Sequence, residues 1–187
     1  TAELAIHAAL TGHLVLSTLH TNDAAGSIPR LVDMNIEPFL LASSLQAVAA
    51  QRLVRRVCEH CREEFPLTKL QEGRMQELFQ SISPDEVRAY KLDPKQKPIF
   101  YRGKGCEECG QTGYKGRIAI YEVIAIDEDM RTIITDKSGN DADVRAAAAG
   151  QGMLTMKQDG ILKALQGITT LAEVERVTEG KILVDEE

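Results

Sequence analysis

Thr11-Gly12-His13-Leu14-Val15-Leu16-Ser17-Thr18-Leu19-His20-Thr21-Asn22-Asp23 joins a β-prone apolar run to a cluster of polar residues. Before it, residues 2–11 place Leu4, Ile6, Ala8, Ala9 and Leu10 at helical spacing, and Gly12 ends that helix. Residues 13–19 then read as a core strand. A helix–Gly–strand step is the repeating unit of an α/β fold. Ligands of α/β sheets gather at the carboxyl ends of strands, so Ser17, Thr18, His20, Thr21, Asn22 and Asp23 form a candidate site for a phosphate or a water. The same residues also serve as ordinary caps for a following helix, and the residues alone leave both readings open. His13 taken singly fits a satisfied core histidine, and His7 a structural one.

Working outward, Thr21-Asn22-Asp23 precede a helical segment over 24–34 that Pro29 should kink or divide. Pro38 suits the first turn of a helix over roughly 38–54, with Phe39, Leu40, Leu41, Leu45, Val48 and Leu53 as core candidates. From 62 to 105 the chain is polar and charged. Helices are expected near 71–81 and 84–92, the second opened by Ser83-Pro84. Pro98-Ile99-Phe100-Tyr101 reads as extended, and 117–126 alternates as a strand does. Helices follow near 128–136, 141–149, 154–166 and 170–178, the last with a capping box at Thr170-x-x-Glu173. The tail, 181–187, reads as a frayed end. These changes divide the chain at 1–57, 58–117 and 118–187.

The 187 residues suit one ordinary domain or two small ones. A hydrophobic fraction of 43% supports a folded core. Aromatics at 4% and the absence of Trp make that core Leu, Ile, Val and Ala, which favours helices over an all-β sandwich. No apolar run approaches the roughly 20 residues that cross a bilayer, and no signal segment opens the chain. Thr1-Ala2-Glu3-Leu4 starts inside a periodic stretch without Met, as a piece of a longer protein would. A net charge of −6 argues against a general nucleic-acid binder. The local cluster Arg52, Arg55, Arg56 and Arg62 reads as a solvated helix end.

The four cysteines form two equal pairs, Cys58-Glu59-His60-Cys61 and Cys106-Glu107-Glu108-Cys109. Two residues between thiolates let both sulfurs turn onto one ion, and two such knuckles complete the closed tetrahedral shell of structural zinc. Arg55, Arg56, Arg62 and Lys104 flank the pairs and would favour thiolate, while Gly105 and Gly110 bracket the second. The intervening loop exceeds the commonest ribbon spacing, so it carries an insertion. Disulfides, a redox pair and chance are the rival readings; each fits two identical spacings in a chain without export signals less well. Four thiolates satisfy the ion without His60. Such a site fastens the 58–117 module and leaves no open position for a water.

Taken together, Ala5 through Ala24 closely resemble the histidine box of the secretion-superfamily ATPases, in the GspE/PilB branch that powers type II secretion and type IV pilus extension. Further matches are Gln51-Arg52-Leu53-Val54-Arg55-Arg56-x-Cys58-x-x-Cys61, Cys106-x-x-Cys109, Thr112-Gly113-Tyr114-x-Gly116-Arg117-x-x-x-Tyr121-Glu122, Gly152-Met153-x-Thr155-Met156 and Gly167-Ile168-Thr169-Thr170-Leu171-x-Glu173-Val174. They run in order along nearly the whole chain, with 62–98 and the tail matching least.

The resemblance implies an α/β architecture: a partial RecA-like core, then a four-cysteine zinc module and a helical C-terminal region. It implies ATP with Mg at the subunit interfaces of a ring-shaped homo-hexamer. It also implies a cytoplasmic protein that meets inner-membrane secretion or pilus platform proteins, with no membrane span of its own and no nucleic acid. By position, His13 and His20 would be the histidines near the γ-phosphate, where an imidazole can donate to phosphate or hold a water. Arg117 matches an arginine close to the nucleotide in relatives; read alone, it is equally an exposed strand-end arginine.

The departures from the family carry weight too. The G-x-x-x-x-G-K-[ST] phosphate loop is nowhere in these 187 residues. Lys137-Ser138 is a decoy, because Asp136 stands where Gly is required. The acidic Walker B strand, which in the family ends just before a segment matching Thr1-Ala2-Glu3, is missing with the Asp-rich box. The expectation is a chain that alone neither binds ATP tightly nor hydrolyses it. The competing classes are a zinc-ribbon nucleic-acid module and a purely structural adaptor.

Overall fold

In chain order the elements are α1 (Ala2–Leu10), α2 (Ser27–Asp33), α3 (Pro38–Ser44), β1 (Ala47–Val57), β2 (Arg62–Phe65), α4 (Lys69–Gln80), α5 (Pro84–Ala89), β3 (Phe100–Gly103), a 3-10 turn (Glu107–Cys109), β4 (Tyr114–Ala125), α6 (Glu128–Asp136), α7 (Asp141–Gly150), α8 (Met156–Leu165) and α9 (Leu171–Val177). They come from a computed structural model that describes residues 1–93, 98–136 and 139–178. Lys137-Ser138 and the 181–187 tail lie outside the described residues.

Local chemistry sets most helix starts. Thr68, Ser83 and Thr155 each open a helix with a complete capping box, and Asn140 accepts from the Asp143 N–H. Thr170 accepts from the Glu173 N–H, but the Glu173 carboxylate turns away to Arg55 and Arg176 instead of closing the box. Pro29 falls within the first turn of α2, where its missing N–H costs nothing, so the helix starts there and is not divided.

Two of the expected elements, the strand over 13–19 and the helix over 38–54, give way to tertiary pairing. Residues 13–19 form no strand. Among the described residues β1 pairs with β4 and β2 with β3, and no strand lies beside the 13–19 run. A strand without a ladder partner has nothing to satisfy its backbone or cover its side chains. Leu14 and Leu16 are accordingly 89% and 87% exposed. The helix expected over 38–54 stops at Ser44, where the Ser43 and Ser44 hydroxyls bond back to the Phe39 and Leu40 carbonyls. Ala47–Val57 then enters a ladder with the β-branched strand β4, and context overrides the helical spacing. Gln46 O accepts from the Ile126 N–H, and Cys58 donates to Gly113 O, so the two strands run in opposite directions. Leu53, expected in the core, is 53% exposed, while Val54 and Val57 are buried.

The chain divides into two compact units, Thr1–Ala50 with Glu122–Met153, and Gln51–Tyr121 with Leu154–Glu187. In the first, α3 packs on α1 and α6, and α7 on α6 and α2. Ile28, Leu41, Ile124, Met130, Ile134 and Val144 are its buried centre. In the second, α8 packs on α9 and β3 around Met75, Phe100, Ile161, Leu171 and Val174. The Arg62–Phe65 insertion strand pairs antiparallel with β3, Arg62 opposite Gly103 and Phe65 opposite Phe100.

Inside the second unit lies a buried polar knot. The Asp159 carboxylate accepts from Tyr90 Oη at 2.5 Å, the Tyr121 N–H at 2.6 Å and Lys163 Nζ at 2.7 Å. Lys163 also donates to the Ala119 carbonyl at 2.8 Å. The knot ties α8 to β4 and to the end of α5 with every charge paired, the condition under which a buried ion pair is tolerated.

Candidate functional site

The two cysteine pairs converge. Cys58 Sγ lies 3.8 Å from Cys106 Sγ, Cys61 Sγ 3.9 Å from Cys109 Sγ, and Cys106 Sγ 3.7 Å from Cys109 Sγ. All four sulfurs fall within 4.8 Å of one another. A disulfide needs about 2.05 Å between sulfurs. A tetrahedron with metal–sulfur bonds of about 2.3 Å has edges of about 3.8 Å, so the spacing fits four thiolates on one ion. The four cysteines can hold one metal ion, and the exposed His60 is not among the converging groups.

Backbone geometry makes the knuckles. Cys61 N–H turns back to Cys58 O, and Lys104 N–H reaches Cys61 O at 3.1 Å. In the second knuckle the N–H groups of Cys106 and Gly113 both point at Cys109 Sγ, each at 3.2 Å. Gly113 takes a φ of 76° and packs its backbone directly against Gly103, where a Cβ would strike the Gly103 carbonyl. Cys58 N–H donates to Gly113 O at 2.9 Å and joins one knuckle to the other.

These N–H groups stand where basic side chains were expected. Arg55 is bound to Glu173, Arg56 to Glu59, Arg62 to the Gly167 carbonyl and Lys104 to Glu63. The Arg52–Arg62 cluster lies largely on a strand, not at a helix end. Burial acts to raise the Cys109 pKa, yet the Cys106 and Gly113 N–H donors, joined by the Cys106 and Cys61 thiols, outweigh it and bring it down to about 6. Burial pushes Cys61 up to about 12 against the Gly105 N–H. The cation whose charge reaches the thiols is Lys115, bonded to Glu108 at 2.9 Å; its pKa is raised chiefly by Glu108, with smaller contributions from Cys58 and Cys106. Sequence reasoning missed it because it lies six residues past the second pair.

His13 and His20 both lie on the exposed 13–20 segment of the first unit. His13 Nδ1 is 3.0 Å from Thr11 Oγ1 and 3.2 Å from the Ala8 carbonyl, so it closes the end of α1. Beyond His20 the chain is clamped. Asp23 takes the Gly26 N–H on one oxygen and Arg145 Nη2 at 2.6 Å on the other, and Arg145 also grips Asp141. The buried Glu122 carboxylate accepts from the Ala24 N–H at 2.5 Å. Asp23 thus does cap-type work, as one sequence reading held. Thr21, half-buried, joins it through bonds to the Asp23 carbonyl and the Ser27 hydroxyl, whereas Ser17, Thr18, His20 and Asn22 are exposed.

Arg117 stands exposed on β4 in the second unit, in a groove it shares with Arg55 and Arg176. Glu173, 1% exposed, binds both of those arginines. Burial alone would raise its pKa; hydrogen bonds from Arg176 and Arg55 overcome this and lower it to about 2. A carboxylate lowered on folding stabilises the protein above its unfolded value near pH 4.3, and the benefit fades as pH falls toward 2. The contribution is about 3 kcal/mol at most. Denaturant titrations should therefore show Glu173→Gln less stable than the parent above pH 4.5, with the gap closing on acidification. A gap independent of pH would contradict this.

Comparison with known proteins fits this geometry. The family model described as "Type II/IV secretion system protein" matches residues 1–176. The type IV pilus assembly ATPase PilB of Thermus thermophilus is 47% identical over 93% of this chain, and the type II secretion system protein E of Pseudomonas aeruginosa 46% identical over 95%. The chain spans 18% and 32% of those two relatives. Its fold matches the pilus retraction motor PilT, solved with bound ADP, at a TM-score of 0.57 and 21% identity, over 96% of this chain and 36% of that one. It also matches the ATPase DotB of Legionella pneumophila, at 0.53 and 21%, over 94% and 34%. No described helix is long and apolar enough to cross a membrane. A mixed α/β chain with four clustered cysteines, matched by the family model from residue 1 to 176, belongs to the type II/IV secretion system protein family.

Proposed function

We propose that these residues form the C-terminal portion of a hexameric ATPase that drives type II secretion or type IV pilus assembly. The carrying observation is identity of 46–47% along more than nine-tenths of the chain to a secretion protein E and a pilus assembly ATPase. His13 and His20 face the γ-phosphate of ATP in this reading, and Arg117 contacts the nucleotide. Zinc on Cys58, Cys61, Cys106 and Cys109 is structural and holds the two knuckles in register. The whole protein works on the cytoplasmic side of the inner membrane, docked on platform proteins. With no phosphate loop in its 187 residues, the chain by itself does not turn over ATP.

The test compares this chain with the protein extended upstream to the length of its relatives. The extended protein should hydrolyse ATP, and His20→Ala should lower kcat at least ~10-fold, as loss of a hydrogen bond to a charged phosphate does. The 187-residue chain should show no turnover above background. Turnover by the chain alone, or an extended protein without any, contradicts the proposal.

A further inference from the structure

Leu53, Arg55, Arg117 and Arg176 line one open groove of the second unit. Gathering guanidinium groups is repulsive unless negative charge offsets it. Glu173 supplies one such charge. Its carboxylate takes the Arg55 backbone N–H at 2.9 Å, Arg55 Nη2 at 2.6 Å, and the Arg176 Nε and Nη2 donors at 2.9 Å each. The centroid of the Tyr114 ring lies 4.1 Å from the Arg55 guanidinium carbon, and its hydroxyl is 3.1 Å from Thr170 Oγ1. Arg55 and Arg176 are thus fixed in direction while about half exposed, at 47% and 52% of their side chains. A guanidinium carries five N–H donors; Glu173 takes one from Arg55 and two from Arg176. The Arg117 side chain makes no hydrogen bond or ion pair with any described residue. Three positive charges against one negative leave this groove cationic on a chain of net charge −6.

We propose that this groove binds a phosphoryl chain, a di- or triphosphate either free or on a nucleotide, with Arg55, Arg117 and Arg176 as donors and Glu173 as their positioning residue. The inference rests on the reading of Arg117 as a nucleotide contact and deepens it by two arginines and a buried carboxylate. A ligand with at least two negative charges matches the two uncompensated positive ones, and planar guanidinium forks suit phosphate oxygens.

The chain itself is the material for the test. Inorganic pyrophosphate and ATP are titrated separately without magnesium, following arginine Nε–Hε resonances and heat. Saturable binding with a dissociation constant on the order of a millimolar is expected, weakening with salt. Arg117→Ala and Arg176→Ala should each weaken it at least ~5-fold, as loss of a charge-assisted bond does. Equal affinity for the two ligands identifies the phosphoryl chain as what is recognised, and tighter ATP identifies the nucleotide as the source. Glu173→Gln separates positioning from charge: removing a negative group should tighten anion binding if charge alone mattered, and weaken it if Glu173 sets the arginines. Tightening would overturn the positioning role. No saturable binding of either ligand, or binding unchanged in Arg117→Ala and Arg176→Ala, overturns the site. ATP turnover by the longer protein is a separate readout, so the motor reading stands or falls independently.

Discussion

Cys109→Ser is expected to abolish metal binding and to lower the melting temperature of the second unit by more than about 10 °C. An ion held by the four sulfurs would tie Cys58 to Cys106 across 48 positions of chain. A covalent link closing such a loop is worth about 4 kcal/mol of unfolded-state entropy, and a metal bridge acts on the same loop. In a domain of this size about 1 kcal/mol moves the midpoint by 4–8 °C. Scanning calorimetry of the reduced chain with zinc, and again with a chelator, gives the comparison. The chelator should bring the parent chain down to the variant and leave the variant where it was. A destabilised variant beside a chelator-insensitive parent would assign the effect to packing, since Cys58 and Cys109 are both buried.

Asp159→Ala is the second large effect, a loss of about 3–5 kcal/mol. Removing the carboxylate strands Lys163, whose side chain is 13% exposed, together with Tyr90 Oη and the Tyr121 N–H. The cost lies in the uncompensated charge, which a double-mutant cycle can show. Asp159→Leu combined with Lys163→Met should be markedly less destabilised than Asp159→Ala in chemical denaturation. A double variant as unstable as the sum of its singles would show no coupling between Asp159 and Lys163, and would contradict an orphaned charge as the source of the loss.

What the sequence made legible was chemistry fixed at short range. Two C-x-x-C knuckles announced a shared ligand set, because the spacing itself turns both thiols one way. Ser83 and Thr170 announced helix starts, because a cap needs only its own next three residues. Features set by distant partners were not legible. Residues 13–19 have strand chemistry without a neighbour among the described residues to pair with, and Ala47–Val57 has helical spacing but meets β4. Asp159 and Lys163 look like any exposed i, i+4 pair until α8 is laid against β4. Glu122 and Arg145 gave no local hint that they would clamp the end of the histidine segment from about 100 positions away. The basic residues near the cysteines misled for the same reason: each found a carboxylate or carbonyl elsewhere, and backbone N–H groups took over at the sulfur.

Cobalt(II) titration of the reduced chain probes the four-sulfur centre most directly. One equivalent should saturate the protein and give the intense sulfur-to-cobalt charge-transfer bands and d–d pattern of a tetrahedral tetrathiolate, bleached by one equivalent of zinc. Absence of sulfur charge transfer, or a spectrum built from fewer than four thiolates, would contradict a single ion held by Cys58, Cys61, Cys106 and Cys109.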